Sequence, residues 1–288
     1  MLAFAGCNSL AGLDPGTLAD PIPPSCAAGW GRRIPIDITN ATTSTLAGYQ
    51  VVVPAELRAL PQLRFGMNGR SLPLAFEMDS QVWVSVDLAP GTTRIHAYYD
   101  NPNADAWTSP PVFETDLIAN ASFESTGGWT ISGDARYESS SAWASDGERS
   151  LLIDAYRHDR VFRALDFGIT QRVRFPPGSD YVLRFDLAVV AASNSGLNSN
   201  GEFFVGVGDG LLEAWRKSGD EGNITGEYRD VETIPFGPGD VGIMFGVTLT
   251  DGTTPSYAKG FYDHIRVRKH VTPEPVVTAG ADEDACAP

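Results

Sequence analysis

Apolar residues in this chain recur at every second position over short runs. Ile34, Ile36 and Ile38 alternate with other residues in RRIPIDIT, and Val82, Val84, Val86 and Leu88 do so in QVWVSVDLA. A period of two buries one face of an extended strand and leaves the other free. Similar short runs follow in GYQVVVP, QLRFGMNG, SLPLAFEM and TRIHAYYD, then in RSLLIDA, YVLRFDLAVV, GEFFVGVG, VGIMFGVTL and GFYDHIRVRK. The 30 glycines and 20 prolines punctuate them with turns such as GMNGR, LAPGTT and DNPNAD. The chain is expected to be all-β with few long helices, the best helical segment being GLLEAWRKSG. Pro35 inside its run predicts an edge strand or a bulge.

The runs fall into two blocks. SPPVFETD (Ser109 to Asp116) reads as the linker, because its two prolines break any strand. Residues 29–112 hold six or so strands, enough for a sandwich. Residues 113–269 are long enough for a jelly roll of eight or more strands. Residues 1–28 read as a tether and 270–288 as a C-terminal tail. The expected architecture is two β-sandwich domains in tandem, the second a jelly roll.

A formal net charge of -15 argues against nucleic acid, which needs clustered Lys and Arg to neutralise phosphates. It suits divalent cations without specifying one. No run after the N-terminal segment approaches the ~18–20 apolar residues of a membrane helix.

LAFAGC, ending at Cys7, resembles the lipobox of bacterial lipoproteins, and the Gly/Pro/Ser-rich stretch after it suits a tether. That resemblance implies a lipid on Cys7 and a location outside the cytoplasm, on the outer membrane or cell surface. With Cys7 set aside, Cys26 and Cys286 flank the strand-bearing region. They are either a disulfide pair, which an oxidising compartment permits, or two free thiols.

Four segments of the first block, WGRRIPIDITN, LAGYQVVV, LRFGMNGRSLPLAFE and VWVSVDLAPGTTRIHAYYDNPNA, resemble in order the bacterial domain of unknown function 2341. Asp100 stands where that family often has Gly. The resemblance implies an extracytoplasmic sandwich and assigns no catalytic residue.

The second block opens LIANASFESTGGWTISGDARYESSSAWASDGERSLLI and closes on FYDHIRV. This resembles carbohydrate-binding modules of families 4 and 9, of galactose-binding-like jelly-roll form. The resemblance implies a structural calcium shared by Glu124 and Asp263, with Asp146 and the carbonyl of Arg149 joining them. Oxygen donors of this kind are what calcium takes. In FYDHIRV, strict alternation puts Asp263 on one face with Phe261, Ile265 and Val267, where a carboxylate needs a partner. His264 takes the place of a second Asp and points the other way.

Sugars are held by flat aromatic faces and a few planar polar groups. Trp129 belongs to the opening strand and is expected in the core. Trp143, in the polar stretch YESSSAWASDG, Tyr156 and Arg157, in DAYRHDR, and Trp215 are the candidate carbohydrate-binding residues. His158 beside Asp159 is not a catalytic pair, since adjacent strand residues face opposite ways. No Gly-x-Ser-x-Gly elbow, HExxH, phosphate loop or Cys–His arrangement occurs.

The expected function is a non-catalytic, monomeric lipoprotein that binds a polysaccharide or glycan over a structural calcium. The alternatives are a surface adhesion or spacer protein, and a glycoside hydrolase with two carboxylates converging in a deep cleft.

Overall fold

The computed structural model describes residues 29–77, 81–105, 108–132, 137–157, 165–194, 201–208, 212–218, 225–249 and 256–285. Cys7, Cys26 and Cys286 lie outside them.

The first domain contains β1 (Arg32–Asn40), β2 (Leu46–Val53), β3 (Arg64–Met67), β4 (Arg70–Leu72), β5 (Leu74–Phe76), β6 (Val82–Leu88) and β7 (Gly91–Tyr99). The second contains β8 (Thr130–Ser132), β9 (Tyr137–Ser140), β10 (Ser150–Arg157), β11 (Leu165–Phe175), β12 (Asp180–Asn194), β13 (Gly201–Val207), β14 (Leu212–Ser218), β15 (Gly226–Glu232), β16 (Gly239–Leu249) and β17 (Ser256–His270). Two short strands follow, β18 (Val276–Ala279) and β19 (Glu283–Asp284). Among the described residues there is no α-helix. Leu212–Ser218, within the short segment that offered the best helical pattern, is strand β14. Its helix-forming residues yield to pairing with β13, where Arg216 lies opposite Phe204 and Trp215 opposite Val205.

In the first domain a sheet ordered β18-β1-β7-β3-β4, with β19 also on β1, faces the smaller sheet β2-β6-β5. The alternating residues read from sequence fill the space between them: Ile36, Ile38, Val84 and Leu88 are fully buried. The segment after residue 270 is part of this domain. It returns to β1, with Ile36 opposite Ala279 and Arg33 opposite Glu283. Pro35 therefore lies inside the sheet, not at the expected edge or bulge. It lies where the β18 ladder stops: its carbonyl accepts from Gly280 N at 2.8 Å, and its nitrogen has no hydrogen to return the second bond of that pair.

The second domain is a sandwich of two five-stranded antiparallel sheets, β15-β12-β17-β10-β9 and β14-β13-β16-β11-β8. Leu183, Phe185 and Leu187 of β12 meet Phe203, Phe245 and Val247 across the core. The Tyr262 hydroxyl, fully buried there, donates to the carbonyls of Gly246 (2.9 Å) and Phe204 (3.2 Å).

The linker is a strut rather than a free connection. Val112 and Phe113 are buried against Trp83, and Gln50 Nε2 donates to the Val112 carbonyl at 3.1 Å. Glu114 N donates to Val267 O in the second domain at 3.1 Å.

Candidate binding face and loop anchor

β12 reads Tyr181, Leu183, Phe185, Leu187 inward and Val182, Arg184, Asp186, Ala188 outward. The outward face of an antiparallel sandwich is ordinarily wet, yet Arg184, Asp186 and Ala188 are 3%, 2% and 5% exposed. Two things cover them: the first domain at one end and Trp143 at the other.

A β-bulge in β17 decides which residues join this face. Arg184 pairs with Arg266 and Asp186 with Asp263, so His264 and Ile265 together oppose Phe185. His264 adopts a φ of 52°. The bulge corrects the strict alternation expected for FYDHIRV. Phe261, Asp263, Arg266 and Arg268 face outward, whereas Ile265 and Val267 lie in the core. His264 accordingly does not point away from the acidic residues; its Nδ1 lies 3.7 Å from Asp186 Oδ2. Burial opposes its protonation, but Asp186, Asp146 and Asp263 outweigh that and hold the imidazole above its ordinary value.

At the domain boundary this face carries a network of charges. Arg184 reaches Asp230 (2.7 Å) and Glu232 (3.0 Å), and Arg268 reaches Glu232 (3.1 Å) and Glu274 (2.8 Å). Arg266 contacts Asp230 (2.8 Å) and, across the boundary, Glu77 of the first domain. Burial lowers the proton affinity of Arg266, but a guanidinium stays charged at neutral pH. Trp83 lies under this network, 4.5 Å from the Arg184 guanidinium. Two clefts flank the network. One, of about 620 Å³, is lined by Gln50, Val52, Arg184, Arg229, Glu232 and Glu274, among others. The second, of about 600 Å³, includes Phe76, Glu77, Asp146, His264 and Arg266.

Of the sequence candidates, Trp143 lies on the outward face. It packs on Leu152, Ala188 and Phe261, with its ring centre 6.1 Å from that of Phe261. The Arg229 guanidinium stands 4.9 Å from the Trp143 ring centre, and Arg229 also approaches Asp186 at 3.4 Å. The Trp143 indole N–H is buried without a hydrogen-bond partner. Trp215 is elsewhere. It packs from inside against Phe185, ring centres 5.3 Å apart and edge-on. Tyr156 and Arg157 end β10 opposite Tyr257 and Ser256; their side chains lie outside the described residues. Trp129 is in the core between Phe123 and Phe245, as expected.

Glu124 and Asp263 converge on one loop. Glu124 Oε1 accepts from Glu148 N and Arg149 N, each at 2.9 Å. Asp263 Oδ2 accepts from Ser145 N (2.6 Å) and Asp146 N (3.0 Å), and its Oδ1 from His264 N (2.7 Å). The two carboxylates thus clasp the Ser145–Arg149 loop from either end. Gly147 between them has φ +68°, and a Cβ there would strike the Glu124 carboxylate. Burial pushes the Asp263 carboxyl up to about 6 despite its backbone donors. The donors it has are neutral, so a cation would be compensated here, and the oxygen set suits calcium. Among the described residues no three His, Cys, Asp or Glu side chains converge as a metal site. A cation would therefore rest on two carboxylates and carbonyl oxygens.

No family model matches the chain, and no curated protein matches it. Solved structures that do match include three carbohydrate-binding modules. The complex of TmCBM61 with β-1,4-galactotriose is 19% identical over 54% of this chain and 98% of that one, with a TM-score of 0.31. The CBM22-1 xylan-binding domain of Paenibacillus barcinonensis Xyn10C is 16% identical over 52% and 91%, TM-score 0.32. TmCBM27, described for mannan recognition, is 16% identical over 50% and 89%, TM-score 0.34. The chain itself is all-β, with β-sandwich domains.

Proposed function

We propose that this chain is a non-catalytic glycan-binding protein whose site is the outward face of β15-β12-β17-β10-β9. One observation carries the reading: Trp143, outside the core, stands with Arg229 and Asp186 on a single sheet face. An aromatic ring beside planar, charged hydrogen-bonding groups is the equipment a sugar requires. The sequence resemblance of residues 113–269 to carbohydrate-binding modules supports the same assignment. Under this reading Cys7 carries a lipid and the protein works outside the cytoplasm, and a calcium ion held by Glu124 and Asp263 with carbonyl oxygens of the loop they clasp, that of Arg149 among them, fixes the loop that carries Trp143.

The test is a glycan-array screen of the chain and of Trp143→Ala, each with calcium and with chelator, alongside melting curves. Binding to a defined glycan that Trp143→Ala abolishes is the expected result. A chelator that leaves the melting temperature unmoved removes calcium from the account. A second reading, a surface spacer or adhesion protein, is favoured by one feature. Trp143 and Trp215 lie on opposite sides of the β12 sheet instead of forming a row. It is adopted if the array is blank and the chain captures a protein partner from the cell surface.

A further inference from the structure

The outward face does not end at Trp143. Ala188, Asp186 and Arg184 follow one another on it at alternate positions of β12; the first two lie beneath Trp143 and Arg229, and Arg184 lines the interdomain cleft of about 620 Å³. From Ala188 to Arg184 a strand advances about 13 Å, longer than one sugar ring. Arg229 belongs to both ends of this track, standing over Trp143 and lining the cleft. The first domain supplies the opposite wall through Gln50, Val52, Gln81 and Trp83.

Two buried donors mark the ends. The Trp143 indole N–H lacks a hydrogen-bond partner, and so does Nε of Arg184, a residue only 3% exposed. Buried N–H groups are nearly always satisfied, so such exceptions call for a partner. A hydroxyl-rich chain supplies one at each end. The cleft's charges are balanced: Arg184, Arg229 and Arg268 face Asp230, Glu232 and Glu274. The whole chain is strongly acidic, so a polyanionic glycan would be repelled on approach.

We propose that the binding site is composite. A neutral oligosaccharide chain of several units runs from Trp143 past the Arg229 guanidinium into the interdomain cleft, and the first domain forms one wall of its groove. The proposal rests on the glycan-binding reading above and adds ligand length, ligand charge and a role for the first domain.

The experiment is calorimetric titration of the full chain with β-1,4-linked xylo-, manno- and galacto-oligosaccharides of two to six units, and with oligogalacturonates. It is repeated on Val52→Arg. Val52 is 39% exposed on the cleft wall, so the substitution obstructs the cleft from a solvent-facing position; an unchanged melting curve verifies the fold. Affinity for one neutral series should rise by roughly tenfold or more from dimer to hexamer. Val52→Arg should remove most of that gain and leave dimer binding unchanged. Affinity independent of length, or a hexamer bound equally by Val52→Arg, overturns the composite groove and leaves glycan binding at Trp143 standing. Tighter binding of the galacturonates overturns the assignment of a neutral ligand. No binding of any probe, with the array also blank, overturns both readings.

Discussion

Replacing Arg266 by methionine tests the domain interface most directly. Arg266 is the cation that meets Glu77 across the boundary, and both side chains are almost fully buried, at 3% and 5% exposure. Asp230, its other close partner, keeps Arg184 at 2.7 Å when Arg266 is gone. Among the described residues Glu77 has no other cation in salt-bridge contact. Stranding one buried charge costs about 3–5 kcal/mol, whereas replacing a buried pair by apolar groups is often neutral. Arg266→Met should therefore lose about 3–5 kcal/mol in urea denaturation at neutral pH. The double variant Arg266→Met, Glu77→Gln should lose less than the single one, because it buries no unpaired charge. A loss below about 1 kcal/mol, or a double variant less stable than Arg266→Met alone, would refute the idea that this pair spans a desolvated boundary.

Three further outcomes follow from local geometry. Gly147→Ala should cost about 2–3 kcal/mol, from the left-handed backbone and the displaced Glu124 carboxylate. The loss should be smaller in a Glu124→Ala background, and strict additivity in chemical denaturation would count against the clasp. Deleting residues 276–288 strips β18 and β19 from β1 and should lower one calorimetric transition, that of the first domain, while the second domain's transition stays; an unchanged thermogram would contradict the shared sheet. Burial raises Glu232, but its contacts with Arg268 and Arg184 prevail and hold it below the ordinary value. Its contribution is therefore present at neutral pH and lost as pH falls through the folded pKa. Glu232→Gln should cost about 1 kcal/mol at pH 7 and match wild type at the acid end, as pH-stepped urea curves would reveal.

How much of this was legible in the sequence depends on distance along the chain. The alternation in RRIPIDIT and QVWVSVDLA placed Ile36, Ile38, Val84 and Leu88 in a core because burial of one strand face is a local pattern. The same rule misplaced Ile265 and Val267 relative to Asp263, because a single extra residue in β17 reverses the faces beyond it, and nothing in FYDHIRV announces a bulge. Leu212–Ser218 was misread for a related reason. Its helix preference is a few tenths of a kcal/mol per residue, less than its backbone gains by pairing with a strand already formed. Trp215 follows from that error: as part of a strand in the second sheet it packs inward on Phe185.

The outward face of β12 was the least legible feature, and it is the one on which function turns. Arg184, Asp186, Arg266 and Arg268 look like residues of a wet surface, since polar alternation reports which face avoids the core but not what else covers it. The covering of Arg184, Arg266 and Arg268 comes from Glu77, Gln81 and Trp83, roughly a hundred or more positions earlier in the chain. The linker Ser109–Asp116 and the segment returning after β17 hold the domains so that this covering is possible. Desolvated charges contribute little net stability against an apolar alternative, so their concentration here is poorly explained by folding alone. They do fix the two domains at one register, with Arg229 left between Trp143 and the cleft. A groove shared by two sandwiches needs that register, because a small rotation of one domain would move Val52 and Gln81 away from the wall opposite Arg184. The charge network and the proposed site are thus one arrangement: the pairs that orient the domains also line the space in which a chain would lie.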